Sequence, residues 1–136
     1  MQTFLPYANF YDSAKCLDYR RLGKQRVEVL QILNALTNPK KGWKNHPATK
    51  MWAGYEGLLS DYGITICEEW ISRNYKDTCL DKIFNIVKPT KSPCPSWLGD
   101  KKFHDSHKSM LIQKQPDHYL QFNWDVPHDL QYIWPV

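Results

Sequence analysis

From Asp12 to Leu36 the chain runs twenty-five residues without a proline, and this stretch constrains the fold more than any other. It reads as one helix. Asp12 or Ser13 supplies an N-cap oxygen for the first free backbone N–H groups. Thr37-Asn38-Pro39 stops the helix, because the residue before a proline is driven out of the α region. At about 100° per residue, Tyr19, Leu22, Val29, Leu30, Leu33 and Leu36 share one face, which must bury against the rest of the chain.

Arg26 lies in the middle of that apolar stripe. A guanidinium there requires partners, since an unpaired buried charge is very costly. Two readings follow. In one, Arg26 pairs internally with a carboxylate, Glu56 or Glu68. In the other, Arg26 converges with Arg20 and Lys24, which lie four residues apart on its flank, on a pocket for an anion. Phosphate is the usual anion for an arginine cluster. Arg21 projects away from both.

The remainder repeats the helical pattern. Asn45-His46-Pro47 opens a second helix, with Pro47 in the first turn, carrying Met51, Trp52, Tyr55, Leu58, Leu59 and Tyr62 at helical spacing. Gly63 breaks or bends it, and Ile64 to Arg73 continues with Ile66, Cys67, Trp70 and Ile71 on one side. Cys79 to Val87 suits a short helix. A proline-rich connector, Lys88 to Ser96, leads to a third helix at Asp100 to Lys114, stopped by Pro116. The aromatic tail His118 to Val136 reads as extended and wraps the helices. The expectation is an all-α protein: one domain over 1–136, a compact bundle of three main helices with an extended aromatic C-terminal segment.

A formal charge of +4 permits nucleic-acid binding without the charge of a DNA-coating protein. The aromatic content of 14% supplies rings that fill a core or stack on bases, with Tyr19 and Trp52 candidates for the second use. Lys40 and Lys41 in the basic loop are within reach of a phosphate backbone or simply solvated. Cys16, Cys67, Cys79 and Cys94 form no C-x-x-C pair, and no secretory or membrane-spanning run occurs, which points to a soluble cytoplasmic protein with free thiols. His104 and His107 share a helix face, but two histidines lack the further ligands a metal needs. His107, with Ser106 or Ser109, is instead a candidate for contacting a phosphate or base. His46, at a helix N-terminus that favours its neutral form, either caps that helix or holds a base or phosphate oxygen. Phe4, Leu5, Tyr7, Phe10 and Tyr11 tuck the start of the chain against the body. That positions the Met1 α-amine, whose ordinary pKa near 8 leaves it partly neutral and nucleophilic.

Four stretches together resemble the pyrimidine-dimer DNA glycosylase (phage endonuclease V-like) family, in its bacterial and phage branch. They are Leu17-Asp-Tyr-Arg-Arg-Leu-Gly-Lys-Gln-Arg26, His46-Pro47 through Trp52-Ala-Gly-Tyr-Glu56 to Arg73, Asp100 to Tyr119, and the aromatic tail. The resemblance implies a compact all-α enzyme without a cofactor that grips duplex DNA. It implies attack by an N-terminal amine on a sugar carbon, a Schiff-base intermediate, an assisting glutamate, and arginines on the flanking phosphates. Arg20 takes the place of the family's first arginine, and Lys24, or Arg26 with a two-residue shift, that of the second. The family's glutamate position is occupied by Arg21. Bulky Gln2 implies that Met1 is retained. The expected catalytic set is therefore Met1 or Lys24 as the amine and Glu56 as the carboxylate, with Glu28 half a turn off the Arg26 face. Phosphate or nucleotide contacts are expected from Tyr19, Arg20, Arg26, His46, Trp52 and His107. The alternative is a non-catalytic nucleotide- or nucleic-acid-binding protein of the same fold, such as a sponge for a small nucleotide signal.

Overall fold

The computed structural model describes residues 1–38, 40 and 42–136. The first surprise is that the expected long helix is two. Asn9 Oδ1 accepts the Asp12 N–H at 2.9 Å and starts α1, Phe10–Cys16. Leu17 is extended and fully buried, and Asp18 caps α2, Tyr19–Thr37. Partners far away in the chain stabilise this break. Arg73 donates to the carbonyls of Leu17 at 2.9 Å and Lys15 at 3.1 Å, satisfying acceptors that the end of α1 leaves free. Asp18 N–H donates to the Tyr119 hydroxyl at 3.0 Å, and that hydroxyl donates to the Asp18 carboxylate.

The next elements are α3, Pro47–Trp52, and α4, Glu56–Ser72. His46 caps α3, its Nδ1 accepting the Ala48 N–H at 3.0 Å. The interruption falls at Ala53-Gly54, where Gly54 has φ +88°, rather than at Gly63. Gly63 lies inside α4 and serves packing: a Cβ there would sit 2.5 Å from Val29 Cγ1. It lets α4 press directly on α2. Then follow α5, Leu80–Ile86, α6, Lys101–Lys114, α7, Pro116–Tyr119, and a 3₁₀ turn at Leu120–Phe122, after which the tail is extended. The fold is all-helical, with seven α-helices and no strand among the described residues. It is divided more finely than a three-helix bundle, because short capped turns carry the chain around the core.

The buried stripe of α2 is Leu22, Val29, Ile32 and Leu33, against Leu59, Ile66 and Trp70 of α4. Tyr19, expected in that stripe, is 55% exposed.

The start of the chain is the organising feature. Thr3, Phe4 and Leu5 are buried, although they are in neither helix nor sheet. A buried backbone must find hydrogen-bond partners, and here side chains from four regions provide them. From α2, Gln25 Oε1 accepts the Phe4 N–H at 2.9 Å and Gln25 Nε2 donates to the Gln2 carbonyl at 2.8 Å. From α4, the Tyr62 hydroxyl donates to the Phe4 carbonyl at 2.7 Å. From the tail, the Tyr132 hydroxyl donates to the Thr3 carbonyl at 3.1 Å. From α6, His107 Nδ1 accepts the Leu5 N–H at 2.9 Å, and His104 Nδ1 donates to the Leu5 carbonyl at 2.7 Å.

Candidate functional site

Beside this anchored start lies a cleft of about 340 Å³. Gln2 and Phe4 form one wall, Arg20, Arg21, Lys24, Gln25 and Glu28 of α2 another, and Lys114 and Gln115 at the end of α6 close it. Glu28 is its buried centre. Its Oε2 accepts the Gln2 N–H at 3.2 Å and the Gln25 Nε2–H at 3.0 Å. Lys24 Nζ stands 3.9 Å from Oε1. Burial pushes the Glu28 carboxyl above its ordinary value, outweighing the Gln2 hydrogen bond and the charges of the chain N-terminus and Lys24. The net direction favours the protonated form more than in a free glutamate.

The rest of the cleft is cationic. Arg21 turns into it, its Nη1 held by Gln115 Oε1 at 2.9 Å and by Asp18 at 3.3 Å. Arg20 and Lys114 make no ion pair among the described residues. His46 stands near the same end of the chain: partial burial and the charge of the chain N-terminus both lower its pKa. Its ring meets Trp43 and Trp134 edge to face, at 5.9 and 5.7 Å.

Several expectations change. Arg26 does not line the cleft. Its Nη1 donates to Asp77 at 2.6 Å and its guanidinium lies 4.4 Å over Trp70, so the internal-pair reading holds with a partner other than Glu56 or Glu68. Glu56 accepts the Gly54 N–H at 3.2 Å at the start of α4 and does not line the cleft. Trp52 is fully buried, its indole N–H donating to Thr3 Oγ1 at 3.1 Å, so it offers no face to a base. His107 is also fully buried, and with His104 it clamps the Leu5 backbone, so the pair on one helix face is a structural device. Its neighbours are occupied too: Ser106 Oγ accepts the Ile133 N–H and Ser109 Oγ the Leu130 N–H. Lys40 is exposed, and Lys41 lies outside the described residues.

Met1 is half-buried against the core, and the charge of the chain N-terminus acts on Glu28; Lys24 and Arg20 line the cleft, without the Arg26 they were expected to join. Arg21, Gln25, Glu28 and Lys114 are the cleft residues that sequence reasoning set aside or missed. A signal for three of them existed: Arg21, Lys24, Gln25 and Glu28 recur at i, i+3, i+4 and i+7, a polar stripe beside the apolar one.

Among the described residues the fold is all-helical, and its cleft brings together four cationic side chains, the buried carboxylate of Glu28 and residues Gln2 and Phe4 from the start of the chain. The family model for pyrimidine dimer DNA glycosylase matches residues 1–83, more than half of the chain, and the protein belongs to that family. The match takes in the anchored start, α1 to α4 and most of α5. No curated protein and no solved structure matches the chain.

Proposed function

We propose that this protein is a DNA glycosylase that acts on pyrimidine dimers in duplex DNA through an amine at the N-terminal cleft. One observation carries the reading. Glu28, buried and raised in pKa, holds the Gln2 N–H at 3.2 Å, one residue from the α-amine of Met1, within a cleft of four cationic side chains. In the mechanism, the neutral amine attacks C1′ of the damaged nucleotide. The glycosidic bond breaks and its electron pair leaves with the base, which is protonated; the attached amine loses one proton, its lone pair then breaks the C1′–O4′ bond, O4′ is protonated, and the product is the protonated Schiff base. Glu28 exchanges those protons and balances the positive charge that develops. It thereby takes the part of the glutamate that the family resemblance places at Arg21. Arg20, Arg21 and Lys114 hold the phosphates on either side. Lys24, 3.9 Å from Glu28, is the second candidate amine.

Borohydride trapping tests this directly. The protein is incubated with ultraviolet-irradiated duplex and with abasic-site duplex, and borohydride reduces any imine to a stable covalent adduct. The expected result is a protein–DNA band that maps to Met1 or Lys24. Absence of a band from folded protein overturns the catalytic reading. It leaves the cationic cleft as a binding site for a nucleotide, to be sought in the purified protein.

A further inference from the structure

One surface feature is left unused by the cleft chemistry. Tyr19, next to the cleft residue Arg20, is 55% exposed and stacks on Trp70, with ring centroids 6.0 Å apart and planes 12° from parallel. Tyr75, 39% exposed, stacks on the same indole at 4.3 Å and lies 5.5 Å from Tyr19.

Trp70 is held from three directions. Its N–H donates to the Lys76 carbonyl at 2.9 Å. Arg26, itself fixed by Asp77, covers a ring face. Gly23 leaves the room the ring occupies, since a Cβ there would come within 2.9 Å of two ring carbons. Two half-exposed tyrosines are thus presented on a rigid support at little entropic expense.

Asp18, Glu69 and Asp77 are tied to Arg21, Arg73 and Arg26. Arg20 and Lys76, each adjacent in sequence to one of the exposed rings, are exposed and make no ion pair among the described residues. Exposed π faces between free cations match an unstacked nucleobase with its flanking phosphates.

We infer that Tyr19 and Tyr75, backed by Trp70, form a stacking platform for one unpaired nucleobase of the bound DNA, with Arg20 and Lys76 on its phosphates. The identity of the bound strand rests on the glycosylase reading; the stacking does not. Arg20 links the two sites, lining the cleft while Tyr19 beside it carries the base.

The test uses 2-aminopurine, whose fluorescence is quenched by stacking. Two probes are titrated: a duplex with a tetrahydrofuran abasic analogue and 2-aminopurine opposite it, and a short single strand containing 2-aminopurine. The wild-type protein is expected to quench both. Tyr19→Ala and Tyr75→Ala should each weaken binding about 5- to 100-fold and remove quenching, with circular dichroism unchanged. Tyr19→Phe, which keeps the ring, should behave as wild type. Wild-type affinity and quenching in both alanine variants, or no quenching by the wild type, overturns the platform. So does equal loss in Tyr19→Phe and Tyr19→Ala, because the hydroxyl would then be the contact. Quenching without a trapped band upholds the platform and removes the glycosylase reading. A trapped band with unaltered quenching in the variants does the reverse.

Discussion

Arg26→Ala separates a structural arginine from a phosphate-binding one. The Arg26–Asp77 pair is short, at 2.6 Å, and the two side chains are only 15% and 2% exposed. Asp77 also accepts the Leu80 N–H at 2.8 Å, which starts α5. Burial opposes ionisation of Asp77, but the hydrogen bonds from Arg26, Leu80 and Cys79 outweigh it and lower its pKa. Removing the guanidinium strands a buried carboxylate, which costs about 3–5 kcal/mol. With an unfolding entropy of about 2.1 cal/mol/K per residue, that lowers Tm by roughly 10–17 °C in a chain of this length. The sign with pH is also determined. A carboxyl with a depressed folded pKa contributes stability above its unfolded value near 4 and loses it as pH falls through the folded value. The gap between wild type and Arg26→Ala should therefore narrow on acidification. Asp77→Ala in the same background should add much less than the single variants sum to, since the pair is one unit. The assay is thermal and urea unfolding at pH 7 and in the acid range, with borohydride trapping well below the melting temperature. Trapping should persist. A Tm within about 2 °C of wild type, against the 3–5 kcal/mol expected, would refute the structural assignment, especially alongside loss of DNA binding.

Glu28→Gln keeps an acceptor for the Gln2 N–H and should fold, yet trapping should slow about 10²- to 10⁴-fold; Glu56→Gln should trap at near wild-type rate, and the opposite ranking would return the role to Glu56. Gly23→Ala gains about 1 kcal/mol of helix propensity but forces a methyl against the fixed Trp70 ring, at about 1–3 kcal/mol for overpacking; a variant more stable than wild type by urea unfolding would show that the ring yields. His107 is buried and held neutral, its pKa well below the ordinary value through burial and then the His104 charge. The unfolded imidazole binds a proton near pH 6.5 and the folded one does not, so stability should fall below that pH by up to about 1.4 kcal/mol per unit. Replacing it by His107→Gln should flatten the slope in that range, and an unaltered slope would exclude His107 as its source.

Helical periodicity, Asx caps and prolines are local, so the all-α class, the cap of α3 and the bounds of α6 were legible in the sequence. The same holds for the demand that Arg26 find a partner, because burying a bare charge is prohibitive in any fold. Its partner was not legible: Asp77 lies fifty-one residues on, and no local rule selects it over Glu56 or Glu68. The division of the first helix at Leu17 depends on Arg73 and Tyr119 accepting or supplying hydrogen bonds from afar. Glu28 was legible as a polar neighbour of the apolar face, but its role depended on the path of residues 2 to 5. That path is set by Gln25, Tyr62, His104, His107 and Tyr132, whose polar atoms meet only when the helices pack. Sequence alone therefore determined the helical class of the fold and which charges require compensation, since both follow from local energetics, while the breaks between helices were set by distant partners. Tertiary structure alone decided which carboxylate meets the chain's N-terminus, because a buried segment outside helix and sheet takes its hydrogen bonds from side chains far apart in the chain.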